Sequence, residues 1–251
     1  MGMPDYRSYF PNLSPDRPSI QLSSDESHHL VAVNRAREGA PVVVFDGKGS
    51  EWFCELKEAN KRAATLEGQR FLLHDPLPYS IALAQAIPKG KGLEGIIRKA
   101  TELGIQDVYP LVTERTETRI KGDRVQSKSD KWLTAAIEGA KQSGNPFLPR
   151  IHPLSEIEDF LEKAAPNLAL KLIASLQPNT ITLKAAIESL SKDSAKSGVF
   201  LVGPEGDLSH SEYERINAAG FQPITLGPYV LKCETAATSA ISILRYEWGG
   251  A

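Results

Sequence analysis

Apolar residues follow two different rhythms along this chain. Up to about position 75 they come in short β-branched runs separated by turn residues; beyond it, continuous apolar runs alternate with stretches at helical spacing. In the first part, residues 41–45 (PVVVF) predict a strand and Asp46-Gly47-Lys48-Gly49 a turn. Residues 51–56 roughly alternate, completing a hairpin. Residues 63–67 and 70–74 predict two more strands around Gly68. A short helix is expected over 25–37, capped by Ser24 and ended near Gly39. These elements describe a small β-rich module, a barrel, over residues 1–75.

His74-Asp75-Pro76-Leu77-Pro78 breaks that rhythm. A strand is predicted over 81–87, then the loop Pro88-Lys89-Gly90-Lys91-Gly92. Leu93, Ile96, Ile97, Ala100 and Leu103 follow at helical spacing, with Gly104 placed to end the helix. Strands over 108–112, 168–174, 199–203 and 223–226 alternate with helices over 130–142, 182–190, 209–219 and 234–246. Such alternation makes an α/β unit, a mostly parallel sheet covered by helices, over residues 76–251.

Ligands of open α/β sheets bind beyond the carboxyl ends of strands. Two such ends carry Gly-Pro. Phe200-Leu201-Val202 runs into Gly203-Pro204-Glu205-Gly206, and Ser209 with Glu212 has capping-box spacing. Leu226-Gly227-Pro228 leads through Tyr229, Val230, Leu231, Lys232, Cys233 and Glu234 into a helix opened by small residues. Because the two loops follow successive strands, both can wall one pocket. No Lys-Ser/Thr follows the glycines, and Glu205 repels polyphosphate, so an uncharged or cationic ligand suits the first loop. Lys89-Gly90-Lys91-Gly92 before a helix is an alternative anion site, although a solvated turn explains it as well. His28-His29 has no further ligand at metal spacing and reads as a helix start. No nucleophile motif is present.

Composition narrows the classes. The 251 residues carry 29 basic and 31 acidic side chains, net -2, with 41% hydrophobic and 24% charged, which describes a folded chain rather than a disordered or broadly basic one. Residues 80–150 nevertheless hold 12 basic against 8 acidic groups, concentrated over 115–131, where phosphate contacts are plausible chemistry. Two cysteines, Cys54 and Cys233, are too few for a disulfide framework and point to a reducing cytoplasm. No apolar run reaches the ~18–20 residues of a membrane span, and no secretory signal is expected.

FLVGPEGDLSHSEYE and LGPYVLKCETA, with HHLVAVNRAREGAPVVVFDGKGSEW, KGKGLEGIIRKATELGIQDVYPLVTERT and GAKQSGNPFLPRI in that order, resemble the RsmE-type 16S ribosomal RNA uridine-N3 methyltransferases of the SPOUT class. The resemblance implies a PUA-like RNA-binding barrel followed by an α/β methyltransferase domain with a C-terminal trefoil knot. It also implies a homodimer, S-adenosylmethionine as cofactor, and 16S rRNA in the small ribosomal subunit as partner. Cofactor contacts would come from Ser175, Val202, Gly203, Pro204, Glu205, Gly206, Leu226, Gly227, Val230, Leu231 and Cys233. Lys232 is the candidate cationic donor and Glu234 the candidate base or orienting acid. Arg35, Arg37, Arg98, Arg115, Arg119, Lys121 and Arg124 are candidate RNA contacts, and no metal is implied. The chain departs from the family pattern at Tyr229, Lys232 and Asn145, each standing where arginine is usual. Two rival readings remain: an inactive RNA-binding or assembly factor of the same fold, and a nucleotide enzyme using Lys89-Gly90-Lys91-Gly92.

Overall fold

The structure, a computed structural model, describes residues 6–118, 120, 122–189 and 196–249. The chain forms two compact units, one of residues 1–76 with 137–148 and one of 77–136 with 149–251. The sequence reading did not anticipate that 137–148 joins the first unit.

The first unit holds β1 (Tyr6–Tyr9), β2 (Ser19–Gln21), α1 (Ser24–Ser27), a π-helix (His28–Val33), β3 (Pro41–Phe45), β4 (Ser50–Glu58) and β5 (Thr65–Leu73). The strands order β1-β3-β4-β5-β2, with β1–β3 parallel and the other pairs antiparallel. Among the described residues the edge strands β1 and β2 do not pair, so the sheet is a half-barrel. Leu30, Val42, Val44, Trp52, Leu56 and Leu66 fill its core.

Two expectations need correction here. Instead of two strands around Gly68, β5 runs straight through it. A Cβ at Gly68 would stand 2.5 Å from Trp52 Cε3, so the glycine lets the indole lie across the strand at a bulge opposite Cys54. The predicted helix over 25–37 is a four-residue α-turn capped by Ser23, not Ser24, and then widens into the π-helix. The segment after Ser143 packs onto the β3–β4 turn: Leu148 N–H donates to Gly47 O at 2.9 Å and Gly49 N–H to Pro146 O at 3.2 Å.

The second unit contains β6 (Ser80–Ala86), α2 (Gly92–Glu102), β7 (Asp107–Val112), most of α3 (Asp123–Ser143), β8 (Arg150–Ile151), β9 (Ser155–Glu156) and α4 (Ile157–Lys163). A 3₁₀ turn (Ala165–Asn167), β10 (Leu170–Ala174), β11 (Ile181–Thr182), α5 (Leu183–Glu188), β12 (Ser197–Val202), α6 (His210–Ala218), β13 (Gln222–Thr225) and α7 (Cys233–Gly249) follow. Its eight strands order β11-β13-β10-β12-β6-β7-β8, with β9 also on β7, and every pair is parallel. Nearly continuous burial along β6 and β12 is what a sheet covered on both faces requires. One face packs Ala82, Ala84, Val199 and Leu201 against Ile157, Phe160, Tyr213 and Ile216 of α4 and α6. On the other, α2 and α7 pack together, and α7 lies along β12 and β6. Helix α3 starts at Asp123, seven residues before the predicted start, so Arg124, Lys128 and Lys131 ride on a helix. The two Gly-Pro segments leave β12 and β13, and β10 lies between those strands.

Candidate active site

The carboxyl ends of β10, β12 and β13 open onto one cavity of about 320 Å³. The end of β10 and the two residues after it contribute Ala174, Ser175 and Leu176. Strand β12 ends at Gly203-Pro204 because proline has no N–H for the ladder, and residues 202–205 with Asp207 make the second wall. The third wall runs from Ile224 to Gly227 and from Tyr229 to Cys233, closing on Ala236 of α7. Gly227 holds φ +133, a backbone state that side-chain-bearing residues rarely adopt, and its N–H donates to Thr225 Oγ1 at 3.2 Å.

Hydrogen bonds fix the walls to each other. Cys233 Sγ donates to Gly203 O at 3.3 Å, joining the two Gly-Pro segments directly. Burial, helped by the nearby Glu205 carboxylate, pushes this thiol up to about 11, so at neutral pH it is a protonated donor and not a nucleophile. Asp207, at φ +62, accepts from Tyr213 Oη at 2.7 Å. Burial and that bond push the phenol up to about 12. Glu212 is buried, and its carboxylate accepts Ser209 N–H and Glu114 N–H, each at 2.8 Å. The capping box read from the sequence therefore also ties the β12 loop to the segment after β7. Arg115 Nη1 donates to Gly206 O at 3.0 Å from that same segment.

Lys89 of the lysine–glycine loop is already committed. Lys89 N–H donates to the Glu205 carboxylate at 3.0 and 3.3 Å, and Lys89 Nζ pairs with Glu117 at 2.8 Å. Two carboxylates thus occupy both Lys89 donors that an incoming phosphate would use, which weighs against the nucleotide-enzyme reading.

All the cofactor candidates except Gly206 line this cavity. Gly206 faces Arg115 instead, where an added Cβ would stand 3.4 Å from Arg115 Cβ. Lys232 lines the cavity, whereas Glu234 is not among the lining residues: it is exposed on the first turn of α7, 3.9 Å from Lys99 Nζ. Among the RNA candidates, Arg115 is bound to Gly206, Arg98 lies on α2 and Arg124 on α3. Arg35 and Arg37 follow the π-helix in the first unit; Arg119 and Lys121 lie outside the described residues. Asn145, where arginine was expected, accepts Phe147 N–H at 3.0 Å and shapes its own turn.

Sequence reasoning missed Ala174, Leu176, Asp207, Ile224, Thr225, Tyr229 and Ala236 as lining residues. The available signal was the end of the apolar run at β10, but only the sheet order shows that this end lies between the two Gly-Pro segments. Among the described residues, the N–H and C=O groups of Tyr229, Val230 and Leu231 find no partner. Such a wall, with apolar side chains opposite, suits a flat heterocycle read through its polar edge.

Comparison with known proteins bears on what that ligand is. Residues 75–245 match the family described as an RNA methyltransferase domain, and residues 22–67 match the RNA methyltransferase PUA domain. The ribosomal RNA small subunit methyltransferase E of Synechocystis is 33% identical over 89% of this chain and 72% of its own length. The Bacillus subtilis protein of the same name is 30% identical over 92% of this chain and 91% of its own. This chain belongs to the RsmE family. A crystal structure of the Neisseria gonorrhoeae RsmE, bound to S-adenosyl methionine, superposes with a TM-score of 0.88 at 30% identity, covering 99% of both chains. The parallel sheet and half-barrel are thus those of an RsmE protein of the SPOUT class.

Proposed function

We propose that this chain transfers the methyl group of S-adenosylmethionine to N3 of a uridine in 16S ribosomal RNA, on the small ribosomal subunit and in the cytoplasm. The observation that carries the reading is the cavity walled by both Gly-Pro segments, with unpartnered backbone groups along 229–231. Those backbone groups, with Leu226 and Gly227, would hold the adenine, and Gly203 to Glu205 with Ser175 the remainder of the cofactor.

When bound, S-adenosylmethionine supplies an electrophilic methyl group, so the protein chiefly has to align donor and acceptor. Uracil N3 must lose a proton as it attacks, and negative charge develops on the neighbouring carbonyl oxygens. The Lys232 ammonium, on the cavity wall, is the proposed donor to that charge. Glu234, one residue beyond Cys233, is the proposed base or orienting acid, and its exposure leaves it free to meet an incoming base. N3 lies on the Watson–Crick edge, so the target uridine must be unpaired when it arrives.

Two finer features belong to the same proposal. A C-terminal trefoil knot is one, and the packing of α7, which follows β13, on β12 and β6 supports it. Tyr229 (82% exposed), Val230 (75%) and Tyr246 (72%) present apolar surface on the last loop and on α7, which supports a homodimer formed through that side.

Methyl transfer to purified small subunits from cells lacking the activity tests the reading. One labelled methyl per subunit, found as 3-methyluridine by mass spectrometry, with enzyme sedimenting as a dimer, is the expected result. A chain that binds the donor but labels no RNA would be a binding protein of the same fold.

A further inference from the structure

The first unit holds a second cavity, about 510 Å³, that methyl transfer does not use. Ser24, Asp25, His28, His29, Val33, Lys61 and Arg62 line it. Its form comes from the π-helix. The Asn34 N–H reaches back to the His29 carbonyl at 2.9 Å, the wide i→i+5 turn. In an α-helix a residue five positions on points about 140° away from the first. The wider turn narrows that angle, and Val33, an exposed aliphatic group (57%), lines one hollow with both imidazoles. Arg35 at φ +57 closes the segment in a left-handed conformation, local strain of the sort found at binding surfaces.

The charge at this hollow is mostly positive. Asn60 Oδ1 accepts Arg62 N–H at 2.9 Å and so presents Lys61 and Arg62 together from a turn. Among the described residues neither side chain has an ion-pair partner. Glu26, which would otherwise offset them, is used elsewhere: it pairs with Lys141 Nζ at 2.5 Å and accepts Tyr9 N–H at 3.0 Å. Asp25 is the one carboxylate in the lining.

We propose that this hollow receives one unpaired nucleotide of the RNA substrate. Lys61 and Arg62 meet its phosphate, and Val33 with the His28 and His29 rings meets the face of its base. Cations beside exposed aliphatic and aromatic groups are a pattern by which single-stranded RNA is held; an acidic peptide would use the cations and leave Val33 idle. The inference rests on the methyltransferase reading for RNA as the ligand, and adds a place where RNA outside the target uridine is gripped.

Fluorescence anisotropy of the full chain with a labelled, mixed-sequence single-stranded RNA oligonucleotide tests it, with polyglutamate as a competitor. The wild type should bind the RNA at low salt, and polyglutamate should displace it poorly. The double variant Lys61→Ala with Arg62→Ala should lose about tenfold in affinity, and its salt slope should fall by about 0.7, the value for one single-strand phosphate contact. Val33→Ser should weaken binding several-fold with the slope unchanged. Melting temperature and S-adenosylmethionine affinity should match wild type in every variant. Wild-type RNA affinity and slope in the double variant, no RNA binding by the wild type, or equal binding of polyglutamate would each overturn the proposal. If RNA binding follows this pattern while S-adenosylmethionine fails to bind the wild type, the methyltransferase reading alone is lost.

Discussion

Cys233 shows how one residue's environment decides its chemistry. Its thiol donates to Gly203 O, and burial holds it near 11, so almost none is thiolate at neutral pH. Iodoacetamide at pH 7.5 should therefore alkylate it roughly a hundredfold more slowly than free cysteine. The rate should climb with pH toward about 11 and fall when S-adenosylmethionine covers the wall; rapid labelling at neutral pH would mean that the two segments are not bonded. Because folding favours the protonated thiol, its share of stability is intact below the ordinary thiol pKa and lost as pH rises toward about 11. At this scale the sequence was informative wherever the chemistry is local. Ser209 and Glu212 announce their capping box, and Gly203-Pro204 and Gly227-Pro228 announce their turns. Asp207 and Thr225 line the cavity without a sequence signature, because the partners that matter, Tyr213 for one, are recruited by the fold.

Elements were readable where their periodicity was unopposed and misread where packing overruled it. Strand β6, helix α2 and strands β12 and β13 lie where the apolar pattern puts them. Gly68 looked like a break, yet it is the position where Trp52 needs room. The 25–37 pattern fits an α-helix, but the chain widens into a π-turn that helical spacing does not encode. The basic run over 115–131 is split: Arg115 braces Gly206, while Arg124, Lys128 and Lys131 belong to α3, with Lys128 paired to Glu94. Glu212 carries more than its cap, since it also accepts Glu114 N–H. Glu212→Ala strips both bonds at a buried site and should cost about 2 kcal/mol in urea unfolding, with weaker S-adenosylmethionine binding because residues 203–209 lose their anchor. An unchanged midpoint would show that Ser209 and Glu114 are held without it.

For the whole molecule, what the sequence could not supply was the order of strands. Two Gly-Pro segments after successive strands suggested one pocket, but their meeting depends on β10 lying between β12 and β13, a long-range pairing without a local signal. That placement brings Leu176 onto the β10 wall beside Ser175, already a candidate, and leaves Gly206 off the cavity. The join of residues 137–148 to the first unit is equally non-local. Titration calorimetry with S-adenosylmethionine, on the full chain and on Gly227→Val, is the most direct measurement of the cofactor site. One site per chain is expected, with affinity reduced at least tenfold in the variant, because valine cannot hold φ +133 without shifting the third wall. A wild-type chain giving no heat, or a folded variant binding as tightly as wild type, would contradict it.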